Sequence, residues 1–170
     1  MPNINCRNKP VIKIKKNFLT TEEYNKLNQT FLSQTFPWNF INSKTHSSIT
    51  GLGEFQLVHL FYDCGIASEY FNLIQPFIDK LKPKSLYKVK ANLNVYNSVL
   101  KEYDSHVDIL NFKGTTGVYY LNTNDGYTKI GKKKIMSESN KIVLFNATQK
   151  HAGTNCTNSN YRIVLNFNYV

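Results

Sequence analysis

Hydrophobic and polar positions alternate most clearly over residues 87–96, where odd positions are mostly apolar and even positions mostly polar. Successive side chains of a strand point to opposite faces, so this pattern predicts a half-buried strand. The end of the chain repeats the alternation. Its apolar face consists of Tyr161, Ile163, Leu165, Phe167 and Tyr169, and its other face of Arg162, Val164, Asn166 and Asn168. A guanidinium on a mostly polar strand face is expected at the mouth or lumen of a small barrel, and taken alone it also fits a solvent-exposed strand face with an ordinary surface arginine.

Shorter strands are predicted between these two segments. Their ranges are 116–122, 127–130, 134–136 and 141–146. Asn124-Asp125-Gly126 separates the first two, and this combination of residues is typical of a tight turn. The second half of the chain is therefore expected to consist of strands.

The first half mixes strands and helices. Residues 11–15 and 55–62 have strand patterns, and Thr20-Thr21-Glu22-Glu23 has the hydroxyl and early acidic residues of a helix start. Apolar residues at helical spacing continue to Phe31 and recur over 68–82, where Pro76 should break or kink the helix.

Because helices come first and strands follow, the pattern favours an α+β fold, mainly β, with an antiparallel sheet pair closed as a barrel or jelly roll. The 170 residues are expected to form a single domain, since no internal repeat or linker is present. Residues 41–54 are rich in Ser, Thr and Gly, and we expect a mobile loop there that acts as a lid over a pocket.

The composition limits the cellular location, the cysteine chemistry and the partners that we expect for the protein. No apolar run approaches the roughly 18 residues of a membrane span, and the N-terminus lacks an apolar signal core, so we expect a cytoplasmic protein. Three cysteines without a CxxC pair indicate free thiols and argue against structural zinc. The net charge of +10 is compatible with an acidic partner such as nucleic acid, and equally with a lysine-rich compositional bias.

Candidate chemistry begins at His106-Val107-Asp108. If this segment is extended, the imidazole and the carboxylate face the same side. His151 follows a later strand, and two histidines with one carboxylate form the facial triad of non-haem Fe(II) oxygenases. Arg162, in the last strand, is suited to bidentate binding of a carboxylate. The two remaining histidines, His46 and His59, are given no metal role.

Residues 86–170 resemble the core of the 2-oxoglutarate/Fe(II)-dependent dioxygenases, especially the prolyl 4-hydroxylase-like branch. The first half resembles small phage-type members less specifically. The resemblance rests on Tyr96, the segments 103–108, 118–122 and 144–146, His151-Ala152-Gly153 and Arg162. It implies a double-stranded β-helix (a jelly-roll, cupin-like fold) over 86–170, with residues 1–85 supplying a supporting strand and helices packed on the major sheet.

The resemblance also implies roles. His106, Asp108 and His151, called the triad below, would bind Fe(II), and Arg162 would bind the distal carboxylate of 2-oxoglutarate. The hydroxyl of Tyr120 would join that carboxylate, and Tyr96 would line the pocket with Tyr103 near it. The cosubstrates would be 2-oxoglutarate and O₂, with ascorbate as an optional reductant.

The implied reaction is hydroxylation of a substrate C–H with release of succinate and CO₂. Among possible substrates, the resemblance alone favours a prolyl residue or another peptidyl or amino-acid substrate. Oxidation of a nucleic-acid base, and a catalytically silent β-barrel binding module, stay open as alternatives. A viral member would act in the host cytoplasm, and the oligomeric state is not determined by the sequence.

Overall fold

The computed structural model of the protein describes residues 11–42 and 55–170. Residues 1–10, His46 and most of the loop expected at 41–54 lie outside the described residues, so the expected lid does too. The first described element is strand β1 (Lys13–Lys16), close to the strand predicted at 11–15.

Helix α1 (Thr21–Phe31) begins where the sequence predicts. The Thr20 hydroxyl accepts a hydrogen bond from the Glu23 N–H at 3.3 Å, and the Glu23 carboxylate accepts one from the Thr20 N–H at 2.8 Å. This reciprocal pair is a capping box, which satisfies N–H groups that lack intrahelical partners. Leu27 and Phe31 are the buried residues of the helix, as their spacing predicts.

The second helical segment is divided, as predicted from Pro76. A 3₁₀ helix covers Glu69–Ile74, and helix α2 covers Gln75–Leu81 with Pro76 in its first turn. Proline is accepted there because first-turn N–H groups have no intrahelical acceptor. Within 11–42 and 55–170, no helix combines the length and the hydrophobicity needed to cross a bilayer.

The remaining strands of the described residues form two antiparallel sheets. They are β2 (Asn39–Ile41), β3 (Gln56–Asp63), β4 (Leu86–Val95), β5 (Thr115–Tyr120), β6 (Tyr127–Ile130), β7 (Lys133–Met136), β8 (Lys141–Asn146), β9 (His151–Gly153) and β10 (Tyr161–Tyr169). The larger sheet has the order β1-β8-β5-β10-β4-β3-β2, and the smaller has the order β7-β6-β9. Nearly all of these strands are expected from the sequence, but β2 and β9 are not.

Two apolar clusters lie on opposite faces of the larger sheet. On the outer face the helices cover it, and Phe77 of α2 packs against Tyr119 and Phe167 with ring centroids 4.8 Å apart in each case. On the inner face, residues such as Val164 meet Ile130 of the smaller sheet. Two facing antiparallel sheets with N-terminal helices on the major sheet are the jelly-roll arrangement expected from the sequence, so the predicted fold class is confirmed.

Asn140 joins the N-terminal segment to the larger sheet. Its side chain accepts a hydrogen bond from the Leu19 N–H at 2.8 Å and donates one to the Leu19 carbonyl at 2.9 Å. The Tyr119 hydroxyl donates to the same amide oxygen at 3.1 Å. Asn140 has a φ of 55°, a left-handed conformation that asparagine tolerates better than most residues. One side chain thus fixes the approach of α1 to the sheet.

We predict that Asn140→Ala lowers the free energy of unfolding by about 2–3 kcal/mol, because two backbone groups and a tyrosine hydroxyl lose their partner. Urea denaturation measures the change. Asn111→Ala is the matched control, since Asn111 also has a positive φ of 60° but is exposed. Equal losses in the two variants would show that backbone conformation, not the hydrogen bonds, is responsible.

Candidate active site

The loop that connects β4 to β5, residues 96–114, carries two members of the triad. His106 forms a single antiparallel bridge with His151: the His106 N–H donates to the His151 carbonyl at 2.9 Å, and the His151 N–H donates to the His106 carbonyl at 2.8 Å. The segment is therefore not the continuous strand that the HxD pattern predicts, because the chain bends at Asp108. His151 lies in β9, not just beyond a strand end as expected.

The triad nevertheless comes together as predicted. The Asp108 Oδ1 atom lies 3.8 Å from His106 Nε2 and 3.5 Å from His151 Nε2. All three ligand atoms lie within 4.8 Å of one another. Metal–ligand bonds of about 2.1 Å place neighbouring donors about 3 Å apart, so a small contraction would close this set around one ion. Two imidazoles and one carboxylate suit a divalent iron-like metal.

Neighbouring groups orient two of the triad residues. His106 Nδ1 lies 2.9 Å from the Asp104 carbonyl, so Nδ1–H donates there and the Nε2 lone pair points to the centre. Asn168 Nδ2 donates to Asp108 Oδ2 at 3.0 Å and to Thr116 Oγ1 at 3.1 Å, which leaves Oδ1 facing the two imidazoles. Residue types alone do not reveal these partners, although the strand period places Asn168 on the correct face of the last strand.

The protonation states favour metal binding. Burial lowers the pKa of His106, although the Asp104 carbonyl opposes this effect, so the neutral imidazole is favoured. Burial alone would raise the pKa of Asp108, but its contacts with His151 and Asn168 outweigh that effect and hold the pKa well below its usual range. A neutral imidazole and an ionised carboxylate are the forms that bind a cation.

Arg162 lies deeper in the same cavity and is 2% exposed. Its Nε donates to Ser137 Oγ at 2.9 Å, its Nη1 to the Thr154 carbonyl at 3.3 Å and its Nη2 to Thr128 Oγ1 at 3.3 Å. No carboxylate among the described residues forms an ion pair with it. A buried guanidinium without a counter-anion is costly, so the site fits an anionic ligand.

Gly126 makes room for this guanidinium. A Cβ atom at Gly126 would lie 2.5 Å from Arg162 Cδ and 2.8 Å from Arg162 Nε. The predicted Asn-Asp-Gly turn therefore has a second function that the sequence does not reveal: its glycine allows the arginine to approach the backbone closely.

The three tyrosines that the resemblance assigns to the pocket lie in three different environments. Tyr103 lines the cavity, and burial raises its pKa to about 12 while Arg162 opposes the shift. Tyr120 is buried behind the cavity wall; its ring centroid is 5.7 Å from Arg162 Cζ, and its hydroxyl donates to the Ile135 carbonyl at 3.4 Å. Tyr96 is 53% exposed and is not among the lining residues, so its predicted place in the pocket is corrected.

One wall of the cavity is polar, which the sequence pattern does not predict. The polar residues of β3, β4 and β10 that line it are Gln56, Lys90, Asn92, Asn94 and Asn166. The alternation predicts β4 as half-buried, with its polar residues on a solvent face. The structure corrects this, because Asn92 and Asn94 are 6% and 5% exposed and face the space between the sheets.

His59, for which the sequence predicts no metal role, is a buried residue whose two ring nitrogens both have partners. Its Nδ1 lies 2.9 Å from the Pro37 carbonyl and its Nε2 lies 2.8 Å from Ser68 Oγ. Burial lowers its pKa, with the Pro37 carbonyl opposing the shift. Its ring nitrogens are thus both occupied, and it lies outside the triad.

No protein-family model and no curated protein matches the sequence. Solved structures do match. A prolyl hydroxylase from Trichoplax adhaerens, in complex with a hypoxia-inducible-factor peptide fragment, has a TM-score of 0.66 at 13% identity, covering 93% of this chain and 83% of that one. A Pseudomonas putida prolyl-4-hydroxylase has a TM-score of 0.65 at 13% identity, covering 95% and 92%.

HygX from Streptomyces hygroscopicus, solved with nickel and 2-oxoglutarate bound, has a TM-score of 0.58 at 11% identity, covering 93% of this chain and 82% of that one. The protein therefore has the fold of the 2-oxoglutarate/Fe(II) oxygenases, as the sequence resemblance implies. At these identities the likeness establishes the fold, and the chemistry has to be argued from the site.

We predict that Mn(II) affinity falls as the pH is lowered from about 8 to 5, and that His106 takes up its competing proton only below the ordinary histidine range. Protons compete with the metal for His106, but burial lowers its pKa below the ordinary histidine value, so competition starts late. Asp108 stays ionised in this range because its pKa is also lowered. Calorimetric titrations at several pH values measure the profile. A His106 imidazole that titrates above the ordinary histidine value in the metal-free protein, followed by NMR, would contradict the assigned direction.

Proposed function

We propose that this protein is a 2-oxoglutarate- and Fe(II)-dependent dioxygenase that hydroxylates a C–H of its substrate and releases succinate and CO₂. One observation carries the proposal: a His-His-Asp set of metal-binding geometry shares a cavity with a buried arginine that has no counter-anion among the described residues. Either feature alone would be compatible with a purely structural role. Together they provide a place for a divalent metal and for an acid that reaches it.

The residues have separate tasks in this proposal. The triad holds Fe(II), and Arg162 binds the distal carboxylate of 2-oxoglutarate, with Tyr103 beside it in the cavity and the Tyr120 ring packed against the guanidinium from behind the wall. When bound, the metal and its 2-oxo acid supply the oxidation with O₂, which the protein side chains cannot perform. The protein contributes orientation: Asn168 fixes the Asp108 carboxylate, and the Asp104 carbonyl fixes the His106 ring.

A prolyl, other peptidyl or amino-acid substrate is favoured, because two structures with this fold are prolyl hydroxylases and one of them binds a peptide. The net charge of +10 is the feature that motivates a nucleic-acid base as the alternative substrate. A silent binding module would have no use for the triad together with an anion-binding arginine.

We predict that Asp108→Ala lowers Mn(II) affinity at least a hundredfold and abolishes succinate formation from 2-oxoglutarate, because the only negative ligand is lost. The wild-type protein, loaded anaerobically with Fe(II) and then exposed to O₂, should form succinate slowly even without substrate. Asp63→Ala is the control, since Asp63 is a surface carboxylate paired with Lys88. Full activity in Asp108→Ala would rule out the triad as the metal site.

We predict that Arg162→Met raises the 2-oxoglutarate concentration needed for half-maximal turnover more than a hundredfold, because charge-assisted hydrogen bonds of about 3 kcal/mol are lost. Arg162→Lys keeps the charge without the planar fork and should be intermediate. Mn(II) affinity serves as the control for folding and should stay within about threefold of wild type. An unchanged 2-oxoglutarate dependence in Arg162→Met would remove this residue from the cosubstrate site.

A further inference from the structure

The cavity has a closed end and an open end. Arg162 at the closed end is 2% exposed, whereas the His106 side chain is 35% exposed and that of Asp108 is 13% exposed. The register of β4 against β10 shows how these strands run from the closed end to the open end, since Asn94 pairs with Arg162 and Lys90 pairs with Asn166. Four residues of strand separate these pairs, or about 13 Å. Lys90 therefore lies toward the open end, on the side from which a substrate would approach.

Lys90 is an unusual residue in this place. It is partly buried and lines the cavity, and no carboxylate of the described residues lies within ion-pair distance. Burial lowers its pKa, while Asp108 acts in the opposite direction. By contrast Lys88, two positions earlier on the same face, pairs with Asp63 on the surface at 3.1 Å. A cation that faces a cavity without a partner is a binding group for an anion.

Its cross-strand neighbour adds a second polar group. The Asn166 Oδ1 atom is buried and has no hydrogen-bond partner among the described residues, and Asn166 also lines the cavity. An unpaired amide oxygen accepts a hydrogen bond from an N–H or O–H group of a ligand. An ammonium beside a free amide oxygen matches a ligand that carries a carboxylate and an N–H close together.

The charge balance indicates which molecule supplies that carboxylate. Among the charged residues that line the cavity, Lys90 and Arg162 are positive and Asp108 is negative. In the proposed function, the charges of a divalent metal and of the doubly charged 2-oxoglutarate would cancel, and Arg162 would hold the distal end of that acid. Asp108 offsets one positive charge, so the cavity keeps a single excess positive charge, which Lys90 holds at the open end.

We propose that Lys90, together with Asn166, selects a substrate that carries a free carboxylate: an amino acid or a C-terminal residue, in preference to a residue inside a peptide. This inference rests on the proposed function and deepens it by naming the substrate class. Lys90 acts as a specificity-determining residue. Exchanging the substrate carboxylate for a carboxamide removes the ion pair and leaves Lys90 without a partner.

Equilibrium binding tests this without turnover. The protein is loaded with Mn(II) and 2-oxoglutarate, and the loading is confirmed first by titration, since a failure there contradicts the proposed function and not this inference. The free proteinogenic L-amino acids and Gly-Gly-X tripeptides with a free C-terminus are then titrated by calorimetry, followed by the carboxamide of the tightest binder and by an N-acetylated, C-amidated form. At least one acid should bind, and its carboxamide should bind at least tenfold more weakly.

Lys90→Met should reduce that preference to within about twofold, and Lys90→Gln, which keeps a polar side chain, should do the same. Lys88→Met is the matched control and should keep the preference of the wild type. Three results would overturn the inference: no free acid binds, acid and carboxamide bind equally, or both Lys90 variants keep the preference. If the Lys90 variants bound 2-oxoglutarate more weakly, as is expected of Arg162→Met, the carboxylate that Lys90 binds would be that of the cosubstrate. This result would also overturn the inference.

Discussion

The candidate site depends on one backbone contact, the reciprocal hydrogen bonds between His106 and His151. These residues are 45 positions apart, and the first lies in a loop with little regular structure. The same loop contacts β9 again through Tyr103 N–H to the Gly153 carbonyl at 2.9 Å, and it contacts the segment after β9 through Asn155 Nδ2 to the Val99 carbonyl at 2.8 Å. The loop is thus held along one side of the smaller sheet, and its two candidate metal ligands, His106 and Asp108, are oriented by backbone pairing and not by helix or strand geometry.

The wall opposite this loop follows from the strand period of two. Alternation along β4 and β10 places their apolar residues against the helices and their polar residues in the cavity, so one repeat produces both the core and the site. For this reason the fold and most of the site are predictable: spacing alone assigns Arg162 and Asn168 to one face. The sequence does not show that this face is enclosed, because a polar strand face looks the same in solvent and in a cavity.

The differences between prediction and structure have a common physical origin. The HxD pattern predicts a strand, yet the two side chains converge because the loop pairs at His106 and bends at Asp108. Family resemblance places Tyr96 in the pocket, but β4 ends at Val95 and the tyrosine side chain is largely exposed. Local periodicity predicts regular elements well. It carries no information on where a loop is attached, which long-range contacts decide.

Several buried groups of the site lower the stability of the folded protein until a ligand satisfies them. Arg162 is buried without a counter-anion among the described residues, and the buried Asn94 Oδ1 and His151 Nδ1 atoms lack hydrogen-bond partners there. Such groups cost stability unless something satisfies them. Whatever binds the cavity therefore stabilises the folded state by mass action, in proportion to its concentration relative to its dissociation constant. Metal and acid should also favour each other's binding, since an ionised acid that reaches the metal gains from both the cation and the arginine. Of the four buried side-chain atoms that lack a hydrogen-bond partner among the described residues, those of Asn94, Asn166 and His151 belong to residues that line this cavity, so the capacity of the fold to bind a polar ligand is concentrated there.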